Sequence, residues 1–207
     1  GGGTVTVLRN VSASQVVAFQ RCQRYWWFGW VAGHRTAPTP AQQRGTAIHK
    51  TIEDHLVYGQ EPTQEEVKQA LVDHEVENIG AYLDAVKPYL PGPDEHALSE
   101  IRVEMSTPAG VPWIGYPDLL WPRDGRVVVR DFKSTSDFRY CKSPEEVASD
   151  VQLCAYGKFV YDEGHDGDVE LSLLYLHTRR KRPQVREVSA VVDRAHVLAV
   201  HAESEAT

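Results

Sequence analysis

The chain has few of the features that mark membrane-spanning or disulfide-stabilised proteins. No stretch of its 207 residues approaches the run of about 18 apolar residues that a membrane helix needs. No charged-then-apolar segment opens it, so we expect neither secretion nor a membrane partner. The three cysteines, Cys22, Cys141 and Cys154, are widely spaced and include no CxxC pair, which excludes a zinc ribbon or a disulfide framework. We therefore expect a reduced, cytoplasmic environment.

An excess of positive charge, the usual footprint of nucleic-acid binding, is also missing. The net charge is -7, with 22 Lys and Arg against 29 Asp and Glu. Local charge still matters, because salt screens interactions beyond about 8 Å. The run Arg179-Arg180-Lys181-Arg182, with Arg186 nearby, is one concentrated basic segment. Two interpretations of this segment stay open: it is a solvated loop, or it is a patch that binds phosphates.

The composition and periodicity indicate a folded α/β protein. Hydrophobic residues make up 42% and charged residues 25% of the chain, which is ordinary for a globular domain. We predict a single domain over residues 4–207, with a mainly helical part (4–98) and a sheet core (99–207). Helices are predicted over 12–31, 41–58, 63–86, 143–161 and from 194, and strands over 100–105, 113–121, 127–133, 171–176 and 185–192. The fold class is a mixed central β-sheet flanked by helices, with a helical N-terminal part.

Local signals support several of these elements. Serine or threonine followed three residues later by Gln or Glu predicts capping boxes at Ser12, Thr63 and Ser143. Asp124-Gly125 predicts a tight hairpin. The apolar run 127–129 fits a central strand that is buried on both faces.

The first predicted helix is unusually aromatic. It carries Phe19, Tyr25, Trp26, Trp27, Phe28 and Trp30. We predict that most of these rings lie in the core. Alternatively, a spare ring could stack on a base while Arg21 and Arg24 bind phosphates of a nucleic-acid strand.

Two carboxylates and a lysine are predicted to converge in the sheet. Asp118 is predicted to end one strand, and Asp131 lies near the end of the next, about 4.8 Å away across a hairpin-linked pair. Alternation places Asp131 and Lys133 on one face. Such carboxylates can bind a divalent cation that activates water, while a lysine stabilises negative charge on a phosphate. A structural Asp–Lys pair is the alternative for these residues alone.

Five segments in order carry a family resemblance. They are 14–27, Gly45-Thr46-Ala47-Ile48-His49, Gly115-Tyr116-Pro117-Asp118, Asp131-Phe132-Lys133 and Gln152-Leu153-Cys154-Ala155-Tyr156. The sequence resembles the PD-(D/E)XK nuclease superfamily, in particular its RecB-like branch, over residues 12–176. That branch includes the nuclease domains of RecB and AddB and the CRISPR-associated exonucleases that carry an iron–sulfur cluster. The resemblance implies a restriction-endonuclease-like fold.

The resemblance also implies roles for the matched residues. His49, Asp118, Asp131 and the Phe132 carbonyl would bind Mg²⁺ or Mn²⁺, and Lys133 would be catalytic together with the two aspartates. Gln152 and Tyr156 would contact DNA or brace the site. A further acidic residue is expected in the predicted strand 100–105: Glu100 is preferred, and Glu104 is the alternative.

One departure from the clustered relatives concerns cysteine. Cys22 matches their first cluster cysteine, but no cysteine follows Cys154, and a cubane cluster needs four ligands. We therefore predict no iron–sulfur cluster, and we predict that Cys22 is a small buried residue.

These residues predict a metal-dependent deoxyribonuclease, with exonuclease action on single-stranded or end-resected DNA favoured. Its partner would be DNA, as single strands or duplex ends; further copies of itself or a larger DNA-processing complex stay open as additional partners. The expected context is recombination, repair, phage DNA metabolism or CRISPR adaptation. Two alternatives stay open: a catalytically silent nucleic-acid-binding module of a larger complex, and an unrelated enzyme in which D-x-K is structural.

Overall fold

A computed structural model of the chain describes residues 8–34, 36–92, 94–107, 110–178 and 182–206. Arg179, Arg180 and Lys181 of the basic run lie outside the described residues. The helices are α1 (Ala13–Arg21), α2 (Gln23–Trp26), α3 (Pro40–Tyr58), α4 (Gln64–His74), α5 (Ile79–Val86), α6 (Pro144–Ala148), α7 (Val151–Asp162) and α8 (Arg194–Glu205). The strands are β1 (Val103–Met105), β2 (Trp113–Gly115), β3 (Leu119–Arg123), β4 (Arg126–Thr135), β5 (Val169–His177) and β6 (Gln184–Val192).

The aromatic N-terminal segment is not the single helix that the sequence predicts. The backbone of Cys22 is extended, which ends α1, and after α2 the chain forms a π-helical turn over Trp27–Val31. The capping box predicted at Ser12 is also wrong, because Ser12 makes no side-chain cap. Because the helix is interrupted at Cys22, the segment does not present one continuous helical face.

The prediction that most of these rings lie in the core is wrong as a consequence. Tyr25 is 60% exposed, Trp27 49% and Phe28 39%. Phe19 and Trp26 are half-buried and pack edge to face, with their ring centroids 5.2 Å apart.

Capping residues set the limits of the middle helices. The hydroxyl groups of Thr39 and Thr63 accept from the backbone N–H three residues on, and both positions form full capping boxes. The predicted helix 63–86 is two helices, because Glu75 adopts a left-handed conformation (φ 56°) that ends α4. In α3, Ile48 and Ile52 are fully buried, which confirms its predicted core face.

The central sheet has the order β3-β4-β5-β6, in which β4 and β5 are parallel and the other neighbours antiparallel. Asp124 and Gly125, with φ of 53° and 76°, form the predicted tight turn between β3 and β4. The predicted strand 113–121 is two strands: β2 pairs with β1 in a separate ribbon, and β3 joins the central sheet. The break covers residues 116–118.

Helices cover both faces of the sheet, as a mixed α/β fold requires. Phe132, Leu174 and Leu176 pack on one face with Ile48 and Ile52 of α3. On the other face, alternate strand residues pack against α7 and α8; they include Val129, Leu171, Leu173 and Tyr175. Asp131 and Lys133 belong to this second set by strand alternation, so the predicted common face is confirmed.

The predicted helix 143–161 is divided as well. Ser143 and Glu146 form the predicted capping box of α6, and Asp150 then begins α7 by accepting from the Leu153 N–H at 2.9 Å. None of the described helices is long and apolar enough to cross a membrane. The predicted fold class is confirmed; the extent of a single domain over 4–207 stays a prediction.

Candidate active site

Asp118 lies at the point where β3 stops pairing with β4. The antiparallel ladder ends at Leu119 opposite Arg130, so the next pair in register would be Asp118 and Asp131. Asp118 instead accepts the Phe132 backbone N–H with its Oδ2 atom at 2.6 Å. The sequence placed Asp118 at the end of a strand; it precedes β3, because the chain bends at 116–118. The side chain of Asp118 thus takes the place of a backbone acceptor in the ladder.

Asp131, Lys133 and Gln152 form a hydrogen-bonded triangle between β4 and α7. Lys133 Nζ lies 2.6 Å from Asp131 Oδ2 and donates to Gln152 Oε1 at 3.2 Å. Gln152 Nε2 donates to Asp131 Oδ1 at 2.8 Å. A glutamine suits this position because its amide offers a donor to the carboxylate and an acceptor to the ammonium. The triangle fixes the direction of both charged groups.

Tyr156, one turn further along α7, braces the 116–118 bend. Its O–H donates to the Tyr116 carbonyl oxygen and its oxygen accepts the Tyr116 N–H, both at 3.2 Å. Gln152 Nε2 also approaches the Tyr156 oxygen at 3.4 Å. Gly115 is necessary beside this ring, since a Cβ at Gly115 would lie only 2.5 Å from Tyr156 Cε1. Gln152 and Tyr156 therefore brace the site, and their direct contact with DNA stays a prediction.

His49 of α3 faces the same region from the opposite side. Its ring lies edge-on to Phe132 with a centroid distance of 6.2 Å. Its Nε2 atom is buried, and no hydrogen-bond partner for it occurs among the described residues. Burial, with a smaller effect from the charge of Lys133, lowers the pKa of His49 to about 4, so the imidazole is neutral at neutral pH. A neutral ring with a free nitrogen is the form that binds metal ions.

A cleft of about 700 Å³ joins these groups. Its lining includes His49, Asp118, Asp131 and Lys133. With Phe132, which also lines the cleft, the structure thus brings together five of the predicted site residues from three separate parts of the chain.

Glu100 lies beside Asp118, outside the strand in which the sequence predicted it. Its N–H donates to the Pro117 carbonyl oxygen at 3.0 Å, and its backbone adopts a left-handed conformation (φ 52°). Burial raises the pKa of the Glu100 carboxyl group, and the charge of Glu100 adds to burial and to the charge of Asp131 in raising the pKa of Asp118. Glu104, the alternative, is exposed and pairs with Arg102 at 2.5 Å. The geometry favours Glu100 as the further acidic residue of the site.

Glu53 is a neighbour that the sequence did not single out as a site residue. It lies four residues after His49 on α3, and its charge acts on Glu100. The helical spacing from His49 was the available signal.

The carboxyl groups of the site outnumber its positively charged groups. Burial, and then the charge of Asp131, raise the pKa of Asp118 well above its usual range. Burial also raises the pKa of Asp131, against the opposing effect of Lys133. A divalent cation here would offset this repulsion, and carboxylate and imidazole groups are common ligands of such ions.

The donor types therefore fit a metal ion, with two aspartates, a histidine whose nitrogen is free, and a nearby glutamate. In the arrangement shown, however, no three His, Cys, Asp or Glu side chains of the described residues are grouped closely enough to coordinate one ion. The ligand set His49, Asp118, Asp131 and the Phe132 carbonyl stays a prediction.

Two other predicted groups lie away from the cleft. Arg21 and Arg24 are exposed at the ends of α1 and α2 and do not line it; Arg24 lies over the Phe28 ring at 5.7 Å. Their role in DNA binding is untested. The prediction that Cys22 is buried is wrong, because it lies at the exposed junction of α1 and α2. Cys154 is the buried cysteine.

Comparison with known proteins agrees with this arrangement. The sequence profile of the PD-(D/E)XK nuclease superfamily matches residues 10–206, and the chain belongs to that superfamily. Membership sets aside the alternative of an unrelated enzyme. Its relation to the RecB-like branch stays a prediction. None of the curated proteins matches the chain significantly in sequence.

Two solved structures resemble the fold. One is a proposed exonuclease from Eubacterium rectale, 12% identical, with a TM-score of 0.62 over 100% of this chain and 84% of that chain. The other, SSO0001, is 13% identical with a TM-score of 0.42 over 97% and 77% of the two chains. The first likeness shows a shared fold, and the second is too weak to add to it.

Proposed function

We propose that the protein is a metal-dependent deoxyribonuclease that hydrolyses DNA phosphodiester bonds. The observation that carries the proposal is that Asp118 and Asp131 line one cleft just beyond the last pair of the β3–β4 ladder, with Lys133 held beside Asp131. Members of the superfamily generally use divalent metal ions. His49, Asp118, Asp131 and the Phe132 carbonyl would hold Mg²⁺ or Mn²⁺. That ion would polarise the phosphate and lower the pKa of a bound water.

Lys133 supplies positive charge in this proposal. Burial alone would lower its pKa, but the charge and hydrogen bond of Asp131 raise the pKa of Lys133 overall. The side chain is therefore an ammonium group at neutral pH. It cannot accept a proton in that form, so its role is to stabilise the negative charge that develops on the phosphate. Gln152 keeps the ammonium group directed at the site.

The mode of action extends this proposal. We favour an exonuclease on single-stranded or end-resected DNA, in recombination, repair, phage DNA metabolism or CRISPR adaptation. The RecB-like motif order supports it, and the likeness to a proposed exonuclease is consistent with it. Further copies or a larger DNA-processing complex belong to the same proposal.

The test compares two charge-removing variants with matched controls. Asp118→Asn keeps an oxygen that can accept the Phe132 N–H but removes the charge, and Lys133→Met keeps the length of the side chain. The exposed residues Asp84 and Lys68, changed to Asn and Met, are the controls. Cleavage of end-labelled single- and double-stranded DNA is followed over time with Mg²⁺ or Mn²⁺.

We expect both site variants to lose cleavage by about 100-fold or more, as when a group that stabilises transition-state charge is removed. The controls should cleave like the parent. Asp118→Asn should also unfold at a higher temperature than the parent in the absence of metal, because it removes a buried like-charge repulsion. Site variants that cleave as well as the parent would show that the site is wrongly assigned.

A catalytically silent DNA-binding module is the second candidate, because the described carboxylates and His49 are not grouped into a ready metal site. Binding of DNA that needs no metal, together with no cleavage by the parent in any divalent ion, would favour it.

A further inference from the structure

A second hollow lies next to the catalytic cleft and is lined by aromatic and polar groups. We call it the aromatic hollow; it has a volume of about 710 Å³. Its lining includes Tyr25, Trp30 and His34 on one side and Arg9, Asn10 and Ser12 on the other. The volume lies within the range of about 300–1,000 Å³ typical of ligand pockets. It is therefore large enough for a nucleotide-sized group.

The two rings in the hollow come from the broken N-terminal segment; Tyr25 is exposed and Trp30 is half-buried. Tyr25 and Trp30 lie in an edge-to-face arrangement, with centroids 6.4 Å apart and an angle of 74° between the rings. Tyr25 lies in α2, and Trp30 lies within the π-helical turn Trp27–Val31 that follows it. Such turns are uncommon and occur often at functional sites. The Tyr25 side chain is 60% exposed, so a partner that covered its ring would bury apolar surface.

The charge of the hollow suits an anionic partner. None of the described residues that line it is acidic, although the chain as a whole has a net charge of -7. Arg9 and His34 offer cationic or donor groups, and Asn10, Ser12 and Ser14 offer an amide and hydroxyls. Rings beside such donors are the combination by which proteins bind unpaired nucleic-acid strands.

The aromatic hollow borders the catalytic region on two sides, because it shares lining residues with two neighbouring hollows. Thr36 lines both the hollow and the cleft that contains Asp118 and Asp131. Asn10, Ser12 and Ser14 also line a third hollow, of about 620 Å³, whose other wall includes Gln152 and Tyr156. A strand lying in the aromatic hollow would therefore lie next to the cleft that contains the carboxylates.

We propose that the aromatic hollow binds the bases of a single DNA strand, by stacking on Tyr25 and Trp30, while the neighbouring phosphate lies in the catalytic cleft. This proposal rests on the nuclease function proposed above and names its substrate form. Bases in the interior of a duplex are stacked on one another and present only their edges, so they cannot lie on these rings. The hollow thus selects unpaired DNA over duplex DNA.

The test is a binding experiment that does not depend on cleavage. Fluorescence anisotropy with labelled oligothymidine and with a labelled duplex is measured in EDTA, for the parent, Tyr25→Ala, Trp30→Ala and Trp30→Phe. Tyr58→Ala is the matched control, since Tyr58 is 65% exposed at the end of α3 and does not line the hollow. Circular dichroism confirms that each variant is folded.

Loss of a base–ring contact costs about 1–3 kcal/mol, so Tyr25→Ala and Trp30→Ala should each weaken single-strand affinity by about 5- to 140-fold. Trp30→Phe should retain most of the affinity, because phenylalanine still offers a ring. All variants should bind the duplex with the affinity of the parent. Tyr58→Ala should also bind the single strand with the affinity of the parent. Cleavage by the parent and by Lys133→Met is measured separately in Mn²⁺.

Several results would overturn the proposal. The first is that Tyr25→Ala binds single-stranded DNA as tightly as the parent. The second is that the variants lose affinity equally for single-stranded and duplex DNA. The third is that the parent does not bind single-stranded DNA. Unchanged DNA affinity with altered self-association would instead show that the rings dock another protein chain. A parent that cleaves DNA while Tyr25→Ala binds normally refutes the hollow but not the nuclease. Tyr25-dependent binding without any cleavage refutes the nuclease but not the hollow.

Discussion

Gly115→Ala tests the close contact between Gly115 and the ring of Tyr156, the side chain that braces the 116–118 bend. The added methyl carbon would lie 2.5 Å from Tyr156 Cε1 and 3.1 Å from Tyr156 Cζ. Carbon atoms pack at about 3.5–4.0 Å, so the ring or the β2 backbone must move by roughly 1 Å. Tyr156 is 4% exposed and has little room to retreat. A displaced Tyr156 would also disturb Gln152, and through it Asp131.

The expected cost follows from two effects. Overpacking of a filled core typically costs about 1–3 kcal/mol. The Tyr156 hydroxyl would lose its two 3.2 Å hydrogen bonds to Tyr116. Each such bond contributes about 0.5–1.5 kcal/mol net, and the two effects overlap in part. We therefore expect Gly115→Ala to lower the free energy of unfolding by about 2–4 kcal/mol.

Urea unfolding followed by tryptophan fluorescence measures this change. Gly29→Ala is the matched control, because no heavy atom lies within 4 Å of a Cβ at Gly29. In a Tyr156→Leu background, Gly115→Ala should cost much less, since the ring that it meets is gone. The reasoning is refuted if Gly115→Ala destabilises no more than Gly29→Ala, or if its cost is the same with leucine at 156.

Two further predictions concern cysteine reactivity and pH. At about pH 8, iodoacetamide should alkylate exposed Cys22 but not Cys154, because burial raises the pKa of the Cys154 thiol to about 12. Peptide mass spectrometry checks this, and equal native labelling of both thiols would contradict it. Burial also lowers the pKa of His201, against the opposing charge of Glu205. The unfolded chain then binds a proton below about pH 6.5 more readily than the folded one, so this contribution to stability declines as pH falls. His201→Phe should show a shallower decline of urea midpoints from about pH 7 to about pH 5, and an unchanged slope would show that His201 is not the cause.

Features governed by neighbouring residues were readable from the sequence. The capping boxes at Thr63 and Ser143 and the Asp124-Gly125 turn form as predicted, because each depends on hydrogen bonds or backbone angles within about four residues. Alternation along β4 placed Asp131 and Lys133 on one face for the same local reason. The order of the motifs then predicted the superfamily, which the profile match confirms.

Breaks and long-range contacts depended on the folded chain. The helix ends at Cys22, whose backbone is extended. The predicted strand ends at 116–118, where Pro117 has no N–H to donate to a ladder, and β2 and β3 then pair in different sheets. The exposed Tyr25 ring follows from the first break. The bend at 116–118 carries Asp118 to the end of the β3–β4 ladder. The bond from Gln152 to Asp131 spans 21 residues and exists only because α7 packs on β4. The spacing of motifs in the sequence identifies the charged residues of the site. The packing of the helices on the sheet sets the distances between their side chains and the directions in which these point.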